Sequence, residues 1–227
     1  MMLPVVLDLA GRPVTVIGAG AVGARKVAQL LEVGAVVTVI AEAVRAPLPR
    51  GVATVRVRRY QPGDLAGAVL VVAATGDPAV DDEIVVEATS RGQLLNVVDD
   101  PSRCSFYFTA LHRDGDVVVS VSTSGSSPAL ASWLRDRIAA NLPRGLGALA
   151  SQLAALREAR HRDGASTEGL AWRDWIDAWS RGDVLTGPDD LETREAPDGT
   201  SERGVVVGPV TLRDDAVLER RRERGDR

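Results

Sequence analysis

The stretch Thr15–Ala41, TVIGAGAVGARKVAQLLEVGAVVTVIA, limits the fold of this chain more than any other. An apolar run (Val14, Val16, Ile17) leads into Gly18-Ala19-Gly20-Ala21-Val22-Gly23. In the segment that follows, Ala24, Val27, Ala28 and Leu31 share one helical face. Gly34 ends that helix, and a second β-branched run, Val36–Ile40, comes next. Strand, glycine turn, helix and strand in this order form the first βαβ unit of a dinucleotide-binding sheet. Gly18 permits the tight turn, Gly20 lets backbone approach a pyrophosphate, and Gly23 lets helix and strand pack closely. A diphosphate placed there faces the unpaired N–H groups and the positive dipole end of the helix.

The flanking segments extend the same pattern. LPVVLDLAGRPVTV reads as a short strand, a turn at Gly11 and the start of the first sheet strand. In residues 53–60, ATVRVRRY, Val55 and Val57 alternate with Arg56 and Arg58, which predicts a half-exposed strand near a sheet edge. Leu70–Ala74 has the composition of a fully buried strand. Asp77 is placed to cap a helix that begins at Pro78, runs to about Arg91 and stops at Gly92. Leu94–Val98 is the next buried strand and ends in Asp99-Asp100-Pro101. This alternation predicts an α/β fold, a Rossmann-like and mostly parallel sheet covered on both faces.

The pattern changes after Pro101. Cys104–Leu111 and Val117–Ser122 are expected to form a hairpin outside the main sheet, with His112–Asp116 as its turn. Pro128 opens an amphipathic helix whose apolar stripe is Leu130, Trp133, Leu134, Ile138 and Leu142, with Arg137 inside it. Helical patterning continues from Leu146 to Trp179. Residues 181–203 read as poorly ordered, Val205–Leu212 as a strand candidate and Glu219–Arg227 as solvated.

Composition narrows the function. A net charge of -4 gives no basic field, so nucleic acid is not an expected partner. One cysteine, Cys104, excludes an intrachain disulfide and a cysteine-rich metal cluster. His112 and His161 are isolated from other ligating residues, so no metal site is expected. The N-terminus has no basic segment followed by an apolar core, and no apolar run approaches the ~18 residues of a membrane span. A cytoplasmic protein without membrane contact is the expectation.

Candidate chemistry gathers at the carboxyl ends of the strands. Near the end of the second strand, Ala41 occupies the usual acidic slot and Glu42 is the neighbouring carboxylate. No arginine or lysine directly follows Ile40, although Arg45 is close, so NAD is favoured over NADP. Small residues at Ala73-Ala74-Thr75 suit either a close-lying nicotinamide ribose or packing against a helix. Asp99 and Asp100 are placed either to relay a proton or simply to make a turn, and Asn96 reads as structural. The run Ser122–Ser127 before Pro128 is either an anion cradle or an ordinary cap by Ser127 with linker serines around it.

These pieces in this order resemble one family, the siroheme synthase N-terminal region, or precorrin-2 dehydrogenase, some of whose members also act as sirohydrochlorin ferrochelatases. The blocks LVVAATGDPAVDDEI, LLNVVDDPSRCSF and VVVSVSTSGSSPALASWLRDRI carry the likeness beside the glycine motif, over about residues 3–145. The resemblance implies oxidation of precorrin-2 to sirohydrochlorin with NAD+ as hydride acceptor, on the way to siroheme or cobalamin. It places Asp99 at the family's catalytic aspartate. It places cofactor contacts on Gly20, Ala21, Val22, Glu42, Ala43, Ala74 and Thr75, beside Gly18 and Gly23 of the glycine motif.

Substrate contacts then fall on Asn96, Thr123, Ser124, Gly125, Ser126, Ser127 and Arg135. A substrate with eight carboxylates also needs donors such as Arg25, Lys26, Arg103 and Arg137. The resemblance further implies a homodimer. The expected division is a NAD-binding domain at 1–113, a dimerisation and substrate segment of α+β character at 114–145, a helical domain at 146–180 and a tail at 181–227. Two departures stand out: Ser124-Gly125 replaces a glycine pair usual in the family's loop, and no methyltransferase domain follows, so the chain is not expected to make precorrin-2 itself. The alternatives are a bifunctional enzyme that also inserts Fe2+ or Co2+ and a non-catalytic dinucleotide sensor.

Overall fold

The computed structural model describes residues 2–167, 170 and 172–182. The expectations for residues 183–227 lie outside the described residues. Contacts divide the chain into two units. Among the described residues, one comprises 2–112 and 119–140; the other comprises 113–118 and those from Asn141 to Gly182.

The first unit is built on a five-stranded sheet. Its strands are β1 (Pro13–Ala19), β2 (Val36–Val44), β3 (Thr54–Val57), β4 (Leu70–Ala73) and β5 (Leu94–Val97), in the order β3-β2-β1-β4-β5. All four pairings are parallel, with Ile17 level with Ile40 and Ala73, and Ala73 level with Val97. Helix α1 (Ala21–Glu32) joins β1 to β2, and α2 (Pro78–Ser90) joins β4 to β5. The order reverses beside β1, so the carboxyl ends of β1, β2 and β4 surround the topological switch point where such sheets bind ligands.

Two apolar clusters sandwich the sheet, as its continuous aliphatic strands require. One contains Val16, Val27, Leu30, Val39 and Val72; the other contains Leu65, Val71, Ile84 and Leu95. Asp77 caps α2 by accepting from the Ala79 N–H at 3.0 Å, with Pro78 in the first turn, as the sequence predicts.

Several expected strands differ. Residues 3–7 form no strand: Leu3, Val5 and Val6 are exposed, and no neighbouring strand takes up their backbone groups among the described residues. Strand β2 continues beyond Ile40 to Val44 because, past an irregularity, Val44 pairs with Ala19. β3 is the edge strand, but all four of its residues are exposed rather than alternately covered. The hairpin begins late. Its strands are β6 (Ala110–Asp114) and β7 (Val117–Val121), so His112-Arg113-Asp114, read as turn, belongs to a strand.

The cause of that late start is the preceding segment's attachment to β5. Ser105 N–H donates to the Leu95 carbonyl at 2.8 Å, the Asn96 amide donates to the Phe106 carbonyl at 3.1 Å, and Phe106 and Phe108 turn onto the core. Helix α3 (Pro128–Ala139) then follows, with only Ala131 of its residues buried.

In the second unit, α4 (Leu146–Arg162) and α5 (Trp172–Ser180) close around Leu149 and Trp175, with Leu153, Leu156, Trp172 and Trp179 packed alongside. Asp114 starts α4 by accepting from the N–H groups of Gly145 (3.1 Å) and Leu146 (2.8 Å). A Cβ at Gly147 would lie 2.5 Å from the Asp114 carbonyl oxygen, so only glycine permits the hairpin tip to sit there.

Candidate active site

A cleft of about 350 Å³ opens at the switch point. Its floor is the turn Gly18-Ala19-Gly20; one wall is Glu42, Ala43 and Arg59, and the other is Ala74, Thr75 and Asp77. The three glycines meet three different constraints. Gly18 has φ +104°, and a Cβ there would lie 2.1 Å from the Ala74 carbonyl oxygen. A Cβ on Gly23 would lie 2.2 Å from the Gly18 carbonyl oxygen, whereas one on Gly20 would meet nothing within 4 Å. Gly18 and Gly23 therefore hold the turn together, and Gly20 faces open cleft.

Helix α1 begins at Gly20 without a side-chain cap and without an acidic residue in its first turn. Its leading N–H groups and dipole are thus available to an anion. This is the donor set a dinucleotide pyrophosphate requires. Gly18, Gly20, Glu42, Ala43, Ala74 and Thr75 line the cleft together. Ala21, Val22 and Gly23 supply the first turn beneath it instead of its wall.

The wall of the cleft that follows β4 is ordered by a buried carboxylate that sequence reasoning passed over. The Thr75 hydroxyl donates to Asp81 Oδ1 at 2.6 Å and accepts from the Asp77 N–H at 3.0 Å. Asp81 is 9% exposed, and burial pushes its carboxyl above the usual range, against the Thr75 hydrogen bond and the nearby Arg103. Its signal was Asp81 falling in the first turn of the helix that Asp77 caps. At the opposite end, Glu42 accepts from Arg59 Nε at 2.5 Å. Arg58 is held by both Asp64 oxygens at 2.6 Å, and Tyr60 donates to Glu87 Oε2. Arg58, Arg59 and Tyr60 also line the cleft, and they too were not singled out as site residues.

Further along the same edge, the Val98 N–H donates to the Ala73 carbonyl at 2.9 Å, so the chain leaves β5 level with the exit from β4. The next residue, Asp99, is exposed and adopts φ +63°. Asp100 behaves differently: it caps the turn Pro101–Arg103 by accepting from the Ser102 N–H at 3.1 Å, and it pairs with Arg103 at 3.0 Å. Of the two carboxylates, Asp100 is committed to the turn and Asp99 is left to solvent.

The loop before α3 lies against this turn. A Cβ on Gly125 would come within 3.4 Å of Pro101 and 3.6 Å of the Tyr107 ring. Thr123 Oγ1 accepts from the Ser127 N–H and donates to the Ser127 carbonyl, each at 3.0 Å, and Ser127 Oγ caps α3 by accepting from the Leu130 N–H. Ser124 has φ +52°. Among the described residues, Asp99 and Ser124 are the two non-glycine positions with positive φ, and both lie at this place.

Comparison with known proteins fits this geometry. Residues 5–110 match a family model described as NAD(P)-binding, and residues 114–141 match the sirohaem biosynthesis protein central family. The chain joins an NAD(P)-binding domain to a sirohaem biosynthesis central segment.

The siroheme synthase of Methylobacillus flagellatus is 34% identical over 209 residues, which is 89% of this chain and 44% of that protein. That of Methylococcus capsulatus is 41% identical over 160 residues, covering 69% and 34% respectively. The chain thus spans under half the length of these siroheme synthases. A solved structure of SirC, precorrin-2 dehydrogenase, superposes with a TM-score of 0.61 at 26% identity, covering 73% of this chain and 84% of that one. A dinucleotide fits the cleft described above, with its uncapped helix start, and NAD is the cofactor.

Several of the remaining expected contacts are already engaged. The Asn96 side chain is buried and donates to Phe106 O and Cys104 Sγ. Arg135 pairs with Asp136 at 2.7 Å, and Arg103 pairs with Asp82 at 2.8 Å. Lys26 lies 3.7 Å from the Phe108 ring centroid and donates to Gln29 at 3.3 Å. Among the described residues no three His, Cys, Asp or Glu side chains are grouped to hold a metal ion, and no helix is long and apolar enough to cross a membrane.

Proposed function

We propose that this chain oxidises precorrin-2 to sirohydrochlorin with NAD+ in the cleft, and that Asp99 is its catalytic residue. The observation that carries this is the exposed Asp99, held at φ +63° where the chain leaves β5 on the same sheet edge as the cleft, with Gly125 of the serine loop lying against Pro101 two residues on. Non-glycine residues in this backbone region cost about 1–3 kcal/mol and persist where the surroundings fix them, often at functional sites.

Bound NAD+ supplies the hydride acceptor; the chain's own residues do the rest. The first turn of α1 and Gly20 bind the diphosphate, and Glu42 accepts from the ribose hydroxyls. Thr75, oriented by Asp81, fixes the far end of the cleft. Loss of a hydride from the macrocycle leaves a proton to be removed, and the Asp99 carboxylate accepts it. The Gly125 N–H and the hydroxyls of Ser124 and Ser126 bind carboxylates of the substrate, while Thr123, Ser127 and the bonds from the Ser124 N–H to Ser122 Oγ and from the Ser126 N–H to the Thr123 carbonyl hold that loop's shape.

The same reading makes the molecule a homodimer in which the segment 114–145 takes part. Leu130 and Trp133 on α3 are 47% and 56% exposed, which suits a face covered by a second copy. A cytoplasmic location agrees with this chemistry. Metal insertion into sirohydrochlorin is the second reading, because the same carboxylate would take the pyrrole protons that a metal displaces.

Asp99→Asn tests the assignment. Asparagine tolerates positive φ, so the turn stays intact. The variant is expected to bind NAD+ as the parent does and to form no sirohydrochlorin; turnover near that of the parent would remove Asp99 from the mechanism.

A further inference from the structure

The adenosine end of the cleft carries more positive charge than a site built to reject a 2′-phosphate. The usual device for rejection is a carboxylate at the end of the second strand, which holds the ribose hydroxyls and repels added negative charge. Glu42 occupies that place, but it does not act alone. Arg59 Nε lies 2.5 Å from Glu42 Oε1, and Arg45 lines the same wall with no ion-pair partner among the described residues. Arg58, by contrast, is neutralised by its two contacts with Asp64 and donates to the Arg59 carbonyl. The effective charge at this corner is therefore Glu42 cancelled by Arg59, with Arg45 in excess.

The Glu42–Arg59 pair is also easily exchanged. The two side chains are 59% and 72% exposed, and such solvated pairs contribute little. A phosphate dianion offers a guanidinium stronger, bidentate partners than one carboxylate oxygen does. Arg59 can thus leave Glu42 at small cost when a 2′-phosphate arrives.

We propose that this cleft accepts NADP+ as well as NAD+, and that Arg59 sets the discrimination between them. The proposal rests on reading the cleft as the dinucleotide site. It identifies a specificity-determining residue outside the glycine turn, on the segment that follows the edge strand β3.

The test is calorimetric titration of the parent protein and of Arg59→Gln with NAD+ and NADP+, repeated with ADP and 2′,5′-ADP. Arg59 is exposed, so the variant should fold, and circular dichroism checks this. The parent is expected to bind the two dinucleotides within about tenfold of each other. Arg59→Gln is expected to weaken NADP+ relative to NAD+ by about tenfold or more, the scale of one hydrogen bond to a charged group. A parallel shift is expected between 2′,5′-ADP and ADP. A parent that rejects NADP+ by about a hundredfold, or a ratio unmoved by Arg59→Gln, overturns the proposal while leaving the cleft as an NAD site. Failure of the parent to bind any of the four ligands would instead remove the dinucleotide reading itself.

Discussion

Thr75 Oγ1 donates a hydrogen bond to Asp81 Oδ1 at 2.6 Å, which ties the rim of the cofactor cleft to a carboxylate buried at the start of α2. Burial raises the Asp81 pKa. A folded-state pKa above the unfolded one means that the stabilising, protonated form is fully present below the unfolded pKa and is lost as pH rises through the folded pKa. At neutral pH the ionised carboxylate therefore opposes folding. Asp81→Asn keeps an acceptor for Thr75 and removes the charge. It is expected to melt at or above the parent's temperature at pH 7 and to lose that advantage in acid. Asp81→Ala, which abandons the Thr75 hydroxyl, is expected to raise KM for the dinucleotide more than it lowers kcat.

Glu87 has the opposite sign. Burial pushes its carboxyl up, but the Tyr60 hydroxyl, the Gly63 N–H, Arg91 and the Leu65 N–H outweigh burial and hold it below the usual range. Its contribution is present above the unfolded pKa and lost as pH falls through the folded value. Glu87→Gln should therefore narrow the gap between melting temperatures at neutral and acid pH, read by thermal denaturation across that range.

The glycine turn separates folding from binding. Gly18→Ala and Gly23→Ala drive a Cβ into backbone at 2.1 and 2.2 Å, and each is expected to cost about 3 kcal/mol or more or to abolish folding. Gly20 faces open space with φ -81°, so Gly20→Ala should fold with little loss. Gly20→Asp should also fold, yet it brings bulk and negative charge to the diphosphate position. Isothermal titration with NAD+ should show binding lost in the aspartate variant; unchanged affinity there would contradict the cradle.

Lys26 is the single lysine of the sequence, and burial together with Arg25 lowers its pKa to about 8. Its amine is accordingly in part neutral near physiological pH. Acylation of Lys26, followed by mass spectrometry against pH, should titrate near 8, well before an ordinary lysine would react. A profile with its midpoint near 10.5 would contradict the burial of Lys26 beside Phe108.

Asp99 lets stability and activity be measured apart. With φ +63°, Asp99→Asn and Asp99→Gly are expected to leave stability nearly unchanged, whereas Asp99→Ala loses about 1 kcal/mol because alanine tolerates this region poorly. All three should lack turnover. A fully active glycine variant would show that only the turn, and not the carboxylate, matters.

The parallel sheet was legible because its signals are local. Gly18, Gly20 and Gly23 fix one turn, Asp77-Pro78 fixes a helix start, and the aliphatic runs of β1, β4 and β5 admit no exposed face. The late start of the hairpin was not legible, since it depends on the Phe106 carbonyl and Ser105 N–H reaching back to β5, contacts between residues ten apart. Nor was the wall of the cleft. Arg59 and Tyr60 read as the end of a half-exposed edge strand, and only the parallel alignment of β3 with β2 brings them beside Glu42. The choice between Asp99 and Asp100 likewise needed three dimensions. Both follow a buried strand, but only the structure shows Asp100 occupied by Ser102 and Arg103.

The most direct measurement is anaerobic incubation of the protein with precorrin-2 and NAD+, followed by absorbance of the tetrapyrrole and of the reduced cofactor. Sirohydrochlorin and NADH should appear together in equal amounts. Unchanged spectra, from a protein shown to bind NAD+ in the same buffer, would contradict a dehydrogenase at this sheet edge.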